Sequence, residues 1–190
     1  MSWITTSTGL HLDPLHPDVQ LIRLDDIAHA LSRICRGGGH VRGFYSVAQH
    51  CIACEKEAEA RGLSVRVRLA CLLHDAAEAY LLDIPRPLKA QMPQYAEAEK
   101  GLLSVILSLY FEPPLSEEER SAVKDIDDDM MSWEFHCQMP EESSDRWKKL
   151  AVLPDCVFRP FDETESEYMR LADALSADCR PAAARSGGRS

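Results

Sequence analysis

The sequence predicts an all-α domain of about six helices with a minor β-hairpin at its N-terminus. Three observations lead there. From Asp25 onward apolar residues recur at steps of three and four, which keeps them on one face of a helix. Extended, turn-rich character is confined to the first twenty residues, around Gly9, Pro14 and Pro17. Glycines, prolines and capping residues then divide the rest into helix-length segments. A chain of 190 residues is one domain long and buries a sizeable core. Residues 1–177 are therefore read as a single domain, and 178–190, rich in Ala, Gly, Ser and Arg, as a disordered tail.

Trp3–Thr6 and Gly9–Leu12 are the candidate hairpin strands. Helix one carries Ile27, Ala30, Leu31 and Ile34, with Asp25 or Asp26 as its cap and Gly37-Gly38-Gly39 as its stop. Helix two runs from about Ser46 to Ala60, where Gly62 ends it. The third spans about Ser64 to Leu82, since Pro85 and Pro87 block continuation. A fourth covers about Gln94 to Tyr110, before Pro113-Pro114. Ser116 with Glu119 forms a capping box that opens the fifth, to about Gln138. The last occupies about Glu163 to Ala177.

Composition excludes several classes. Hydrophobic residues at 45% and charged residues at 27% rule out wholesale disorder. Lys plus Arg is 21 against 31 Asp plus Glu, a net charge of −10 that disfavours duplex nucleic acid as a partner. The longest apolar run, Gly101 to Phe111, is too short to span a bilayer, so no membrane partner is expected. Met1 to Thr6 lacks the features of a secretory leader, and the seven cysteines scatter through helical patterns. Reduced thiols and a cytoplasmic location are the expectation.

The chemistry concentrates in Leu72-Leu73-His74-Asp75-Ala76-Ala77-Glu78 on helix three. A charged pair in an apolar helix needs a partner, because burying an unpaired carboxylate is costly. A core histidine beside a solvated aspartate would also account for the pair taken alone. His50, however, lies in line with Val47 and Cys54 on the inward stripe of helix two. Val123, Asp127, Met130 and Glu134 recur at four, three and four, placing Asp127 on the buried face of helix five; Asp128 and Asp129 are read as solvated. Two imidazoles and two carboxylates from three helices suit Mn²⁺, Fe²⁺, Co²⁺ or Zn²⁺ better than Ca²⁺.

His50, then His74-Asp75, then Asp127 resembles the H…HD…D pattern of the HD-superfamily metal phosphohydrolases. The likeness extends to Asp26-Ile27-Ala28-His29-Ala30-Leu31, Phe44-Tyr45-Ser46-Val47-Ala48-Gln49-His50, His74-Asp75-Ala76-Ala77-Glu78-Ala79-Tyr80 and Asp83-Ile84-Pro85-Arg86-Pro87-Leu88-Lys89. These segments are similar to small phage and bacterial members: 5′-deoxynucleotidases and dATP triphosphohydrolases. The resemblance covers roughly Trp3 to Glu134 and implies an HD helical bundle.

It also implies roles. His50, His74, Asp75 and Asp127 would hold one divalent metal ion (Mn, Co, Fe, Zn or Mg), Glu78 would be the general acid or base, and Asp83 would orient the attacking water. Arg36, Arg33, Arg86 and Lys89 would meet the phosphate, although Arg36 also reads as a surface residue near a helix C-terminus. The expected partner is a nucleotide, attacked at the α-phosphoryl to release phosphate from a dNMP or triphosphate from a dNTP, and relatives of this kind self-associate into homo-oligomers. The alternative is a noncatalytic HD module that binds metal and nucleotide as a sensor.

Dinuclear relatives place extra histidine ligands between the two aspartates, where this chain has none, so one ion is expected. His29 or His40 would be the only further imidazoles in reach. Gly37-Gly38-Gly39 replaces an aromatic residue that small relatives often carry after the arginine. Only 24 residues separate His50 from His74, shorter than in the deoxynucleotidases and compatible with an antiparallel helix pair turned at Gly62. Cys51 and Cys54 read as structural thiols, and Trp133 and His136 as core packing.

Overall fold

Ile4–Thr5 (β1) pairs antiparallel with His11–Leu12 (β2), Ile4 opposite Leu12 and Thr5 opposite His11, in a computed structural model that describes residues 3–139 and 145–179. The turn between them is anchored by one carboxylate. Asp26 accepts from the Ser7 hydroxyl at 2.6 Å, the Thr8 amide at 2.8 Å and the Thr8 hydroxyl at 2.8 Å. This corrects the expected capping role. Helix α1 (Leu24–Arg33) is preceded by Arg23, which makes no side-chain cap, while Asp25 and Asp26 lie in the first turn.

Nor do the three glycines stop α1. The helix ends at Arg33, and the chain straightens so that Cys35 bridges Ser46 in antiparallel fashion, with Arg36 N–H donating to the Tyr45 carbonyl at 2.9 Å. Arg36–Gly39 then forms a tight 3-10 turn with Gly37 and Gly38 in the left-handed region. The bridge carries Arg36 to the mouth of helix α2 (Val47–Ala60), which opens with a Ser46–Gln49 capping box.

The third predicted helix is broken. Helix α3 spans Val65–Leu73, and a separate short helix α4 spans Glu78–Leu81. The cause is the histidine: His74 Nδ1 donates to the Cys71 carbonyl at 2.7 Å, and tight bonds from Ala76 to Leu73 and from Glu78 to Asp75 carry the chain through a turn. A further short helix, α5 (Arg86–Lys89), follows the N-cap Pro85 and accepts Pro87, because a proline in the first turn of a helix costs no hydrogen bond. Helices α6 (Pro93–Ser108), α7 (Glu117–Gln138) and α8 (Phe161–Cys179) follow, α7 with the bounds and capping box expected of it. Asp178 and Cys179 belong to α8 rather than to a tail; residues 180–190 lie outside the described residues.

The main core joins α1, α2, α3, α6 and α8 through Ile27, Leu31, Val47, Leu69, Leu72, Ile106 and Tyr168, all fully buried. The Tyr168 hydroxyl donates to the Leu72 carbonyl at 2.8 Å. A smaller cluster, including Cys54, Val67, Cys71, Ile126 and Met130, glues α2, α3 and α7 together. That second cluster matters for function, since it seals the three helices that carry His50, His74 and Asp127. No described helix is long and apolar enough to cross a membrane, and all seven cysteines are free.

Candidate metal centre and cavity

His50 sits in the first turn of α2 with no exposed surface, His74 and Asp75 where α3 breaks, and Asp127 on the inward row of α7. His50 Nε2 lies 3.2 Å from His74 Nε2, 3.2 Å from Asp127 Oδ1 and 3.8 Å from Asp75 Oδ2. His74 Nε2 lies 3.3 Å from Asp75 Oδ2 and 3.8 Å from Asp127 Oδ1. Donors held about 2.1 Å from one ion are separated by roughly 3.0–3.5 Å at adjacent positions, so this spread matches a single shared cation.

The outer atoms of both rings are already committed. His50 Nδ1 donates to Glu134 Oε1 at 2.8 Å, and His74 Nδ1 to the Cys71 carbonyl. Both Nε2 atoms therefore turn into the same space as two carboxylate oxygens, an arrangement that favours positive charge there, on the imidazoles or on a bound cation. Glu134 was visible in the sequence as the next member of the inward row after Met130, but its part in orienting His50 was not.

The charges respond accordingly. Burial holds the Asp127 carboxyl up, yet hydrogen bonds from His50 and His74 bring it well below the usual carboxylate range. Burial and Arg36 press the His50 pKa down, but Glu134 and Asp127 leave it raised. His74 is likewise lifted well above an ordinary imidazole, against its burial, by Asp75, Cys51 and Asp127.

Thiols also lie near. Two groups among the described residues can hold a metal ion on proximity alone: His50 with Cys54 and His74, and Cys51 with His74 and Asp75. Cys54 Sγ is nearly equidistant from the two nitrogens of His50, 3.9 Å from Nδ1 and 3.6 Å from Nε2. Burial pushes the Cys51 thiol up to about 11 and the Cys54 thiol well above its ordinary value. The possible metal-binding groups thus combine His and Asp with a buried Cys.

No protein-family model matches the chain. Over 117 residues it is 41% identical to Uncharacterized protein YfdR of Escherichia coli strain K12, covering 60% of this chain and 62% of that protein. Over 111 residues it is 39% identical to Uncharacterized protein RCAP_rcc00048 of Rhodobacter capsulatus, covering 55% of this chain and 56% of that protein. The chain thus spans about three fifths of the length of the curated relatives it matches. Their names state no activity.

A cavity of about 730 Å³ opens beside the cluster, within the usual range for small-molecule sites, with Asp75, Glu78, Asp83 and Asp127 in its wall. Glu78 is buried at the start of α4. Its Oε1 faces Lys89 Nζ at 3.8 Å, and its Oε2 has no hydrogen-bond partner among the described residues. Burial, reinforced by Asp75 and Asp83, holds its carboxyl well above the usual range despite Arg36 and Lys89. Asp83 Oδ2 accepts from the Gly37 amide at 3.1 Å and so ties the Arg36 loop across the cavity.

The four candidate phosphate cations have different surroundings. Arg36 is buried, with NH1 3.4 Å from Asp75 and Nε 3.5 Å from Glu134, and lines the cavity. Lys89 lines it too, held by Glu99 at 2.6 Å. Arg86 is engaged by Asp127 Oδ2 at 2.6 Å and Asp128 Oδ1 at 2.7 Å. Arg33 is elsewhere: it pairs with Glu165 at 2.7 Å and Asp162 at 3.0 Å on α8 and does not line the cavity.

Three smaller expectations change. Asp128 lines the cavity, and Asp129 is buried 3.1 Å from Arg61, so neither is merely solvated. His136 is exposed, stacked on Trp133 and Trp147 rather than packed in the core. Of the two further imidazoles, His40 reaches the cavity, while His29 is 3.2 Å from Glu165.

Proposed function

We propose that the protein is a metal-dependent phosphohydrolase of nucleotides, of the HD type its motifs resemble. The observation that carries this reading is the convergence of His50, His74, Asp75 and Asp127 on one point beside a cavity that also receives Glu78 and Arg36. A divalent ion bound by those four residues supplies Lewis acidity toward a phosphoryl oxygen and lowers the pKa of water.

The chain's own groups do the rest. Arg36, braced by Asp75 and Glu134, presents fixed positive charge to a substrate phosphate. In phosphoryl transfer such positioning and neutralisation account for most of the catalysis. Glu78, buried with one oxygen uncommitted, holds a proton for the leaving oxygen. Asp83 fixes the Arg36 loop through Gly37 N–H, a positioning role beside the expected one toward water. Arg86 grips the second oxygen of Asp127 and so orients the carboxylate whose Oδ1 faces His50.

The test is a turnover panel. Protein supplied with Mn²⁺, Co²⁺ or Mg²⁺ meets each dNTP, NTP and dNMP, with products separated by chromatography. Phosphate released from dNMPs identifies a 5′-nucleotidase, and intact triphosphate released from dNTPs identifies a triphosphohydrolase. Metal bound in full with no turnover refutes the enzyme and leaves the sensor.

A further inference from the structure

The cavity has two chemically different ends. Asp127 begins a row along α7 that continues, one turn at a time, through Met131 and Phe135, and Met139, the residue that caps the helix C-terminus, lies just beyond. All three apolar side chains are only half-buried and line the cavity. His40, from the turn after Arg36, and Ile84 and Pro85, from the segment after α4, line the same cavity. About 12 Å of helix axis separates Asp127 from Phe135, at 1.5 Å per residue. A slot that is charged at one end and lined by thioethers, a ring and a proline at the other matches a nucleotide laid along the helix.

The glycine turn packs against the same wall. Gly37 stands in the left-handed region, and a Cβ there would come within 2.8 Å of Met139 Cε. A side chain at Gly37 would be strained by its backbone and would require the tip of Met139 to move aside.

We infer that Met131, Phe135 and Met139 seat the nucleobase, with Phe135 as its stacking partner and the phosphate at the Asp127 end. This rests on the nucleotide reading above and deepens it. Recognition through the face of the base, on a ring flanked by adaptable methionines, tolerates purines and pyrimidines alike.

The experiment uses the metal-loaded full chain and free nucleosides, which lack the phosphate that the charged end would hold. 2′-Deoxyadenosine and 2′-deoxycytidine should bind within about tenfold of each other, and 2-deoxyribose alone far more weakly. Phe135→Ala should weaken both nucleosides by about 10–100-fold, and Phe135→Tyr should restore them. Metal stoichiometry and Tm check that each variant is folded, and Met139→Asp serves as a second probe of the same wall.

Nucleoside binding unchanged in both Phe135→Ala and Met139→Asp overturns the seat, and so does 2-deoxyribose binding as well as the nucleosides. Nucleotide turnover alongside that result leaves the phosphohydrolase standing. Phe135-dependent nucleoside binding without turnover of any nucleotide supports the seat and refutes the enzyme.

Discussion

The Nε2 atoms of His50 and His74 face each other across 3.2 Å, each ring having given its Nδ1 hydrogen to a partner behind it. Two imidazoles from helices 24 residues apart in the chain are thereby turned toward the carboxylates of Asp75 and Asp127. Each part of that arrangement can be removed separately.

Asp75→Ala and Asp127→Asn each take one oxygen donor from the point where the imidazoles meet. Bound metal and turnover should disappear together in both, read by metal analysis of the dialysed protein and by the nucleotide panel. A metal-replete, fully active Asp75→Ala would remove Asp75 from the centre.

Glu134→Gln leaves every proposed ligand in place but replaces the carboxylate that accepts from His50 Nδ1. Metal affinity should fall by about 10–100-fold, the usual consequence of losing such a partner, and a chelator-competition titration measures it. Affinity within twofold of wild type would make Glu134 a partner of Arg36 alone.

Glu78→Gln should keep its metal and lose roughly 10²–10⁴ in rate. The pH profile adds a check on sign. Burial with Asp75 and Asp83 raises the Glu78 carboxyl, so it stays protonated at pH values where an ordinary glutamate is ionised. An acid role is lost as pH rises through that raised value, giving an alkaline limb that Glu78→Gln should abolish.

Asp26 tests the hairpin. Burial opposes its ionisation, but the hydrogen bonds from Ser7 and Thr8 outweigh it and leave the pKa lowered. Its contribution to stability is therefore complete above the unfolded value, about 3.9, and lost as pH falls through the lower native one. Asp26→Asn should cost about 1–2 kcal/mol at pH 7 and progressively less below about pH 4, measured by urea unfolding.

Arg33 and Arg36 should part company. Arg33→Ala breaks half-exposed pairs to α8, so stability should change by no more than about 1 kcal/mol, with KM unaltered. Arg36→Ala should raise KM or lower kcat while Arg33→Ala does neither; equal effects would remove the distinction.

Period and punctuation made the helical class legible, and the start of α7, which depends on a local capping box, was readable from Ser116 and Glu119. The proposed ligand set was legible for a similar reason: inward polar residues interrupt apolar rows that the chain itself displays at His50, His74 and Asp127. The break after Leu73 was not legible, because it turns on a side-chain ring reaching the Cys71 carbonyl rather than on glycine or proline.

Asp26 could be placed at the start of α1, yet only the fold brings Ser7 and Thr8 to it. Arg33 and Arg36 look alike in the sequence. Three residues and one antiparallel bridge at Cys35 send the first to α8 and the second into the cavity. Helix rows and caps are local, so the sequence by itself determined which residues point inward. Which of them meet depends on contacts between distant helices, chiefly the packing of α2, α3 and α7 around Cys54, Ile126 and Met130, and only the tertiary structure decided that.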